Sequence, residues 1–154
     1  MNCDFLWNEY ELLYNTYESF NEQSLTLKSW SVTVGLAAII AVYAEKVTLS
    51  GRVAILIAAF SAIPFWITDA FWKSYQNGYV ARLQALELIK DCSNIADYRL
   101  GIITDWQLSY DWFDWLSVLY WPSVALPHVF VLLAGLYLAW KHPPAAAGGQ
   151  KQIP

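Results

Sequence analysis

The sequence predicts an all-α integral membrane protein, and three observations support this fold class. Hydrophobic residues make up 57% of the 154 residues and charged residues only 14%, whereas soluble domains carry about 25% charged residues. Apolar runs of about 20 residues, long enough to cross a bilayer as helices, recur along the chain. The 9 Trp and 10 Tyr residues are typical of the aromatic belts that form where such helices meet water.

Residues 4–23 are predicted to form an amphipathic helix at the start of a single helical domain over residues 1–142. Its apolar residues recur at spacings of three and four, which places them on one helical face: Leu6, Tyr10, Leu13, Tyr17 and Phe20. Acidic residues lie on the other faces, whereas a helix that rests on anionic lipid would be basic. We therefore expect Tyr10, Leu13 and Tyr17 to pack against protein, in an oligomer or a partner.

Two apolar runs form the predicted transmembrane hairpin, with spans at residues 25–44 and 53–72. In the first span Ser31, Gly35 and Ala38 place small or hydroxylated side chains on one face. Such a face permits close helix packing. Helix packing is the favoured interpretation, and the lining of a water-filled pore stays open as the alternative.

The second span contains two residues that are unusual in an apolar helix. Pro64 removes a backbone donor and predicts a kink. Asp69 is an intramembrane acid and therefore a candidate for an ion pathway. Lys73 follows one helical turn later, and the position near the helix end favours an Asp69–Lys73 pair at the membrane interface over an ion pathway.

Residues 73–92 are predicted to continue as an extramembrane helix with its own apolar stripe. Three residues of this stripe are expected to contact another copy or a partner: Tyr79, Leu83 and Leu86. The simplest partner is the N-terminal amphipathic helix, with Glu11 and Glu18 facing Lys73 or Arg82.

A Trp-rich elbow at residues 105–121 follows, and its mixture of aromatic and acidic residues fits an interfacial segment or a protein-packed turn. The third predicted span covers residues 119–140 and contains His128, which either bonds between helices or titrates within a pore. The Pro- and Gly-rich tail, residues 143–154, is expected to be disordered.

Several function classes lack support in the sequence. It contains no Gly-rich phosphate loop and no HExxH or GxSxG spacing, so we expect neither an enzyme nor a cofactor. Cys3 and Cys92 match no metal-binding spacing, and no metal is expected. The net charge of −4 argues against nucleic-acid binding.

The segment YESFNEQSLTLKSWSVTVGLAAIIAVYAEK, the tight turn, the second span and FWKSYQNGYVARLQALE together resemble the SLATT-type two-helix membrane effectors. Those are small prokaryotic proteins associated with nucleotide-signalled antiphage defence. The resemblance covers residues 14–87 and rests on architecture. It implies an oligomeric membrane pore or disruptor that opens when a partner detects infection. The third span and the Trp-rich elbow depart from the two-helix pattern.

We therefore expect a three-span protein of the bacterial inner membrane, with a cytoplasmic N-terminus favoured by the distribution of basic residues. The leading hypothesis is a homo-oligomeric pore or ion-channel-like effector that depolarises or permeabilises that membrane in antiphage defence. Lipid, further copies and a soluble sensor are its expected partners. Pore lining or gating is assigned to five residues: Ser31, Gly35, Ala38, Asp69 and His128. The alternatives are a non-conducting anchor that recruits a soluble partner, and a transporter subunit in which Asp69 or His128 relays protons.

Overall fold

The computed structural model describes residues 4–44, 50–89 and 99–144. Helices contain 84% of these residues, and the described ranges hold no strand, which confirms the predicted all-α class. The helices are α1 (Asp4–Tyr43), α2 (Gly51–Phe60), α3 (Ala62–Asn77), α4 (Val80–Glu87), α5 (Ile102–Ser109), α6 (Asp114–Val118) and α7 (Pro122–Lys141). The predicted tail beyond residue 144, the end of the extramembrane helix at residues 90–92, and both cysteines lie outside the described residues.

Three helical stretches of the described chain are long and apolar enough to cross a membrane: Asp4–Tyr43, Gly51–Glu87 and Pro122–Lys141. The first is one continuous helix of 40 residues, so the predicted amphipathic helix and first span are parts of a single element. Its sequence contains no proline, and apolar residues recur at helical spacing along its length. Nothing in α1 therefore forces a break at the predicted boundary.

The second span is interrupted at Ser61, between α2 and α3. Pro64 has no backbone N–H, so the carbonyl of Phe60 loses the donor that an unbroken helix would supply. Ser61 Oγ donates to the Ala58 carbonyl at 2.7 Å, and Thr68 Oγ1 donates to the Pro64 carbonyl at 2.8 Å. Both hydrogen bonds lie close to the break, which is one turn before the proline.

The chain divides into two compact units. The first unit comprises Met1–Leu25 and Ala70–Val118, and the second comprises Thr26–Asp69 and Leu119–Pro154. The helices α1 and α3 each contribute one part to each unit.

The first unit is built on an apolar core between the N-terminal part of α1 and α4. Leu13, Leu83 and Leu86 are buried in this core. Partly buried side chains surround them: Leu6, Tyr10, Tyr17, Tyr79 and Ile102. The residues assigned to oligomer or partner contacts therefore form an intramolecular core. The N-terminal part of α1, expected above as the simplest partner of the second stripe, covers that stripe here, since two apolar stripes on one chain cover each other before a second molecule is needed.

The Trp-rich elbow is packed against protein on one side in the first unit. Trp106 stacks on Tyr110, with ring centroids 4.9 Å apart, and its indole N–H donates to the Tyr75 carbonyl at 3.1 Å. Burial raises the pKa of the Tyr110 phenol above its ordinary value. Trp112 and Phe113, by contrast, are 61% and 67% exposed. The elbow is a protein-packed turn that also presents aromatic surface.

In the second unit α1 and α7 run parallel, while α2 runs antiparallel to both. A Cβ placed on Gly35 of α1 would overlap Val131 of α7, and a Cβ placed on Gly135 of α7 would lie 3.5 Å from Ile39 Cδ1 of α1. From the first contact to the second, the chain advances by four residues in both helices, so α1 and α7 run in the same direction. Gly135 also packs directly on Ala59 of α2. Glycine allows each pair of helices to approach this closely.

Candidate functional site: a buried charged cluster

Polar side chains from three helices meet inside the apolar second unit. Lys28 and Ser31 come from α1, Asp69 from α3 and His128 from α7. Ser31 is 1% exposed, and Asp69 and His128 are both 0% exposed. We call this set the charged cluster.

Helical spacing explains why each member points inward. Lys28 and Ser31 are three residues apart, which places them on one face of α1. His128 belongs to the buried face of α7, whose residues recur every three or four positions: Val124, His128, Val131, Gly135 and Ala139. Asp69 reaches the same interior from α3. The cluster therefore occupies positions that an apolar residue would take in an ordinary helix bundle.

The contacts form a continuous chain of hydrogen bonds. Lys28 Nζ lies 3.0 Å from Asp69 Oδ2 and 3.2 Å from Oδ1, so the ammonium contacts both carboxylate oxygens. His128 Nε2 lies 3.4 Å from Asp69 Oδ2, and His128 Nδ1 lies 2.8 Å from Ser31 Oγ. The geometry assigns the imidazole proton to Nε2, facing the carboxylate, which leaves Nδ1 to accept from the serine hydroxyl.

The cluster has an electrostatic cost that its geometry only partly offsets. Removing a carboxylate and an ammonium from water costs several kcal/mol each, and their attraction repays this only where the geometry is good. The Lys28 side chain is 16% exposed and the Asp69 side chain is fully buried. Of the two charged groups, only the lysine therefore reaches the molecular surface. An apolar replacement of similar volume would pack at no greater cost, so stability alone does not explain the pair.

The structure brings together three of the five residues assigned to pore lining or gating, namely Ser31, Asp69 and His128. Gly35 instead packs on Val131, where it lets α1 and α7 approach closely. Ala38 lies in an open apolar groove between α1 and α2. The small-residue face of α1 therefore contains a helix contact at Gly35 and a buried polar contact at Ser31.

Sequence reasoning missed Lys28 as a cluster member, because a lysine near a span end is usually a snorkelling residue. Its separation of three residues from Ser31 was the available signal. The partner expected for Asp69 was Lys73, one turn away on the same helix. The structure adds a cation from a different helix, Lys28, 41 residues earlier in the chain.

A second ionic network stabilises the first unit. Arg82 lies 2.9 Å from Glu9 Oε1 and 3.0 Å from Asp105 Oδ2, and Arg99 lies 2.9 Å from Asp105 Oδ1. Arg82 was expected to face Glu11 or Glu18, but the acid that it contacts is Glu9, which is buried. One guanidinium thereby joins α1, α4 and α5.

Within the described residues no group of three or more His, Cys, Asp or Glu side chains could hold a metal ion. Comparison with known protein families, with characterised proteins and with solved structures finds no significant match to this chain. Its class therefore rests on the fold and the site. The chain is a helical, multi-pass membrane protein, and the charged cluster among its apolar helices is its candidate functional site.

Proposed function

We propose that several copies of this protein form an ion-conducting pore that depolarises or permeabilises the bacterial inner membrane. The charged cluster is the gating element, held closed by the Lys28–Asp69 ion pair. The observation that carries this proposal is a fully buried carboxylate that contacts an ammonium and an imidazole from two other apolar helices. Ionisable groups at such positions are rare and usually serve ion pathways, proton relays or voltage sensing.

Gating requires two arrangements of the helices, and the observed arrangement is the closed one in this proposal. In the observed one, α1, α3 and α7 are joined through Asp69, which meets Lys28 and His128. Separation of these helices would expose both charges to water, so hydration would compensate for the broken ion pair. An activating partner or signal needs only to bind the separated state more tightly in order to shift the population toward it.

The biological setting is proposed from the resemblance to SLATT-type effectors. In that setting a soluble sensor or signal-producing protein activates the pore after phage infection, and the loss of membrane potential arrests the cell. The N-terminus and the first unit would lie in the cytoplasm, where they could meet such a protein.

A non-conducting membrane anchor is the second candidate, and the exposed aromatic surface of the first unit favours it. Trp7 is 66% exposed, Trp112 61% and Phe113 67%. Tryptophan and other large aromatic residues are enriched in protein interfaces. An anchor would use this surface to recruit a soluble partner and would need no ion pathway.

Ion flux through vesicles that contain the purified protein distinguishes the two candidates. The tested variant is Lys28→Met, which breaks the ion pair, and the matched control is Lys141→Met, which removes an exposed lysine at the end of α7. We expect Lys28→Met to dissipate a potassium diffusion potential at least tenfold faster than wild type or Lys141→Met, because the gate lacks its closing contact. Folding of each protein is checked by circular dichroism and gel filtration.

If neither wild type nor Lys28→Met conducts more than empty vesicles, a pore held closed by the Lys28–Asp69 pair is excluded and the anchor becomes the better description. If wild type and both variants conduct equally, the protein forms a pore but the charged cluster does not gate it.

A further inference from the structure

An open apolar groove lies between α1 and α2 in the second unit, with a volume of about 320 Å³. Most of its lining side chains are small, and all belong to α1, to α2 or to the break that follows α2: Val34, Ala38, Ala41, Val42, Ala54, Ile57, Ala58 and Ser61. We call it the α1–α2 groove. A concave surface of small side chains admits the large side chains of another helix at close range.

The outer face of α7 carries the opposite kind of surface. Five large apolar residues there are more than half exposed and recur at spacings of four, three, four and three: Leu126, Phe130, Leu133, Tyr137 and Trp140. We call this set the α7 ridge. It lies opposite the buried face of α7 and contributes nothing to the groove. Its spacing is that of the seam by which one helix packs its side chains into another.

The groove and the ridge lie at the same depth along the helices. Ile39 and Ala59 both contact the position of Gly135, so Ala38 and Ala58 are level with the part of the ridge around Leu133 and Tyr137. Copies related by rotation about the membrane normal keep every residue at its own depth. A ridge at this depth therefore meets a groove at this depth on the neighbouring copy.

We infer that the α7 ridge of one copy docks into the α1–α2 groove of the next copy. The two surfaces are different, so the contact is head-to-tail, and repetition by rotation closes a ring. A lipid tail could fill the groove, but only a second copy matches the groove and covers an exposed ridge in the same contact. The inference deepens the proposed function. The assignment of the ring as a pore rests on that function, whereas the contact between copies does not.

Disulfide cross-linking in membranes tests this contact without any measurement of conductance. All variants carry Cys3→Ser and Cys92→Ser, so that only introduced thiols react. The test pair is Ala38→Cys with Leu133→Cys, which we expect to give a ladder of covalent oligomers on mild oxidation. Each single variant should stay monomeric, because a head-to-tail contact never places a residue beside its own copy.

The depth control replaces Leu133→Cys by Leu126→Cys, which keeps Ala38→Cys but moves the second thiol seven residues, or about 10 Å, along α7. This pair should give less than a tenth of the cross-linked product. A second variant, Ala38→Phe, fills the groove and should lower the oligomer fraction of the otherwise native protein in nanodiscs at least tenfold.

Covalent dimers from a single-cysteine variant would overturn the inference in favour of a two-fold contact. No ladder from the test pair, together with an unchanged oligomer fraction for Ala38→Phe, would overturn it in favour of lipid in the groove. A ladder of covalent oligomers without ion flux would support the contact and contradict the pore. Ion flux without a ladder would support the pore and contradict the contact.

Discussion

Removal of Lys28 should destabilise the folded protein more than removal of its partner. In the closed arrangement Asp69 is 0% exposed, so Lys28→Met would leave it buried there without the ammonium that lies 3.0 Å from Oδ2, while the contact with His128 is longer at 3.4 Å. Breaking a buried ion pair on one side costs about 3–5 kcal/mol, because the remaining charge stays out of water.

The reverse variant, Asp69→Asn, should cost less. It leaves an ammonium whose side chain is already 16% exposed and can move toward the interface. The loss of a hydrogen bond to a charged group sets this cost at about 2 kcal/mol. The double variant Lys28→Met/Asp69→Asn leaves no unpaired charge, so we expect its free energy of unfolding to return to within about 1 kcal/mol of wild type.

Equilibrium unfolding in mixed micelles, followed by near-ultraviolet circular dichroism, measures all four proteins. Lys141→Met serves as the control, since this exposed lysine sits 4.5 Å from the Trp140 ring centroid and should contribute about 1 kcal/mol or less. If the double variant is no more stable than Lys28→Met, the two charges are not coupled and the account of the cluster is wrong.

Two further substitutions test the packing of each unit. Gly135→Ala would normally favour a helix by about 1 kcal/mol, but its Cβ would overlap that of Ala59, so we expect a loss of about 1–3 kcal/mol in the same unfolding assay. A gain in stability would contradict the close contact of α2 and α7. Arg82→Gln leaves Glu9, whose side chain is 2% exposed, without its guanidinium and should cost about 3 kcal/mol and increase proteolysis of the first unit. Protease resistance equal to that of wild type would show that Arg82 does not stabilise this unit.

The predicted apolar stripes show where local pattern succeeds and where it stops. The helical spacing of the apolar residues correctly predicts that Leu13, Leu83 and Leu86 lie on apolar helix faces, and all three are buried. The pattern does not say what covers that face, because a stripe has the same spacing against its own chain or against another molecule. The structure decides this by placing the stripes against each other.

The charged cluster shows the same limit for polar residues. Asp69 and His128 stand out in the sequence, since ionisable residues are rare in apolar spans. The contacts with Lys28 and His128 are set by the order and rotation of helices that are distant along the chain, so local spacing could point to Lys73 but not to Lys28.

By itself, the sequence determined the helical class, the number of membrane-length segments and the unusual polar positions, because these follow from composition and periodicity within one segment. Tertiary structure alone decided the Lys28–Asp69–His128 contacts, the close approach at Gly135 and the separation of the α1–α2 groove from the α7 ridge. Each of these depends on how one helix is rotated and shifted against another. That choice is made by side-chain packing across the whole unit, which no single segment encodes.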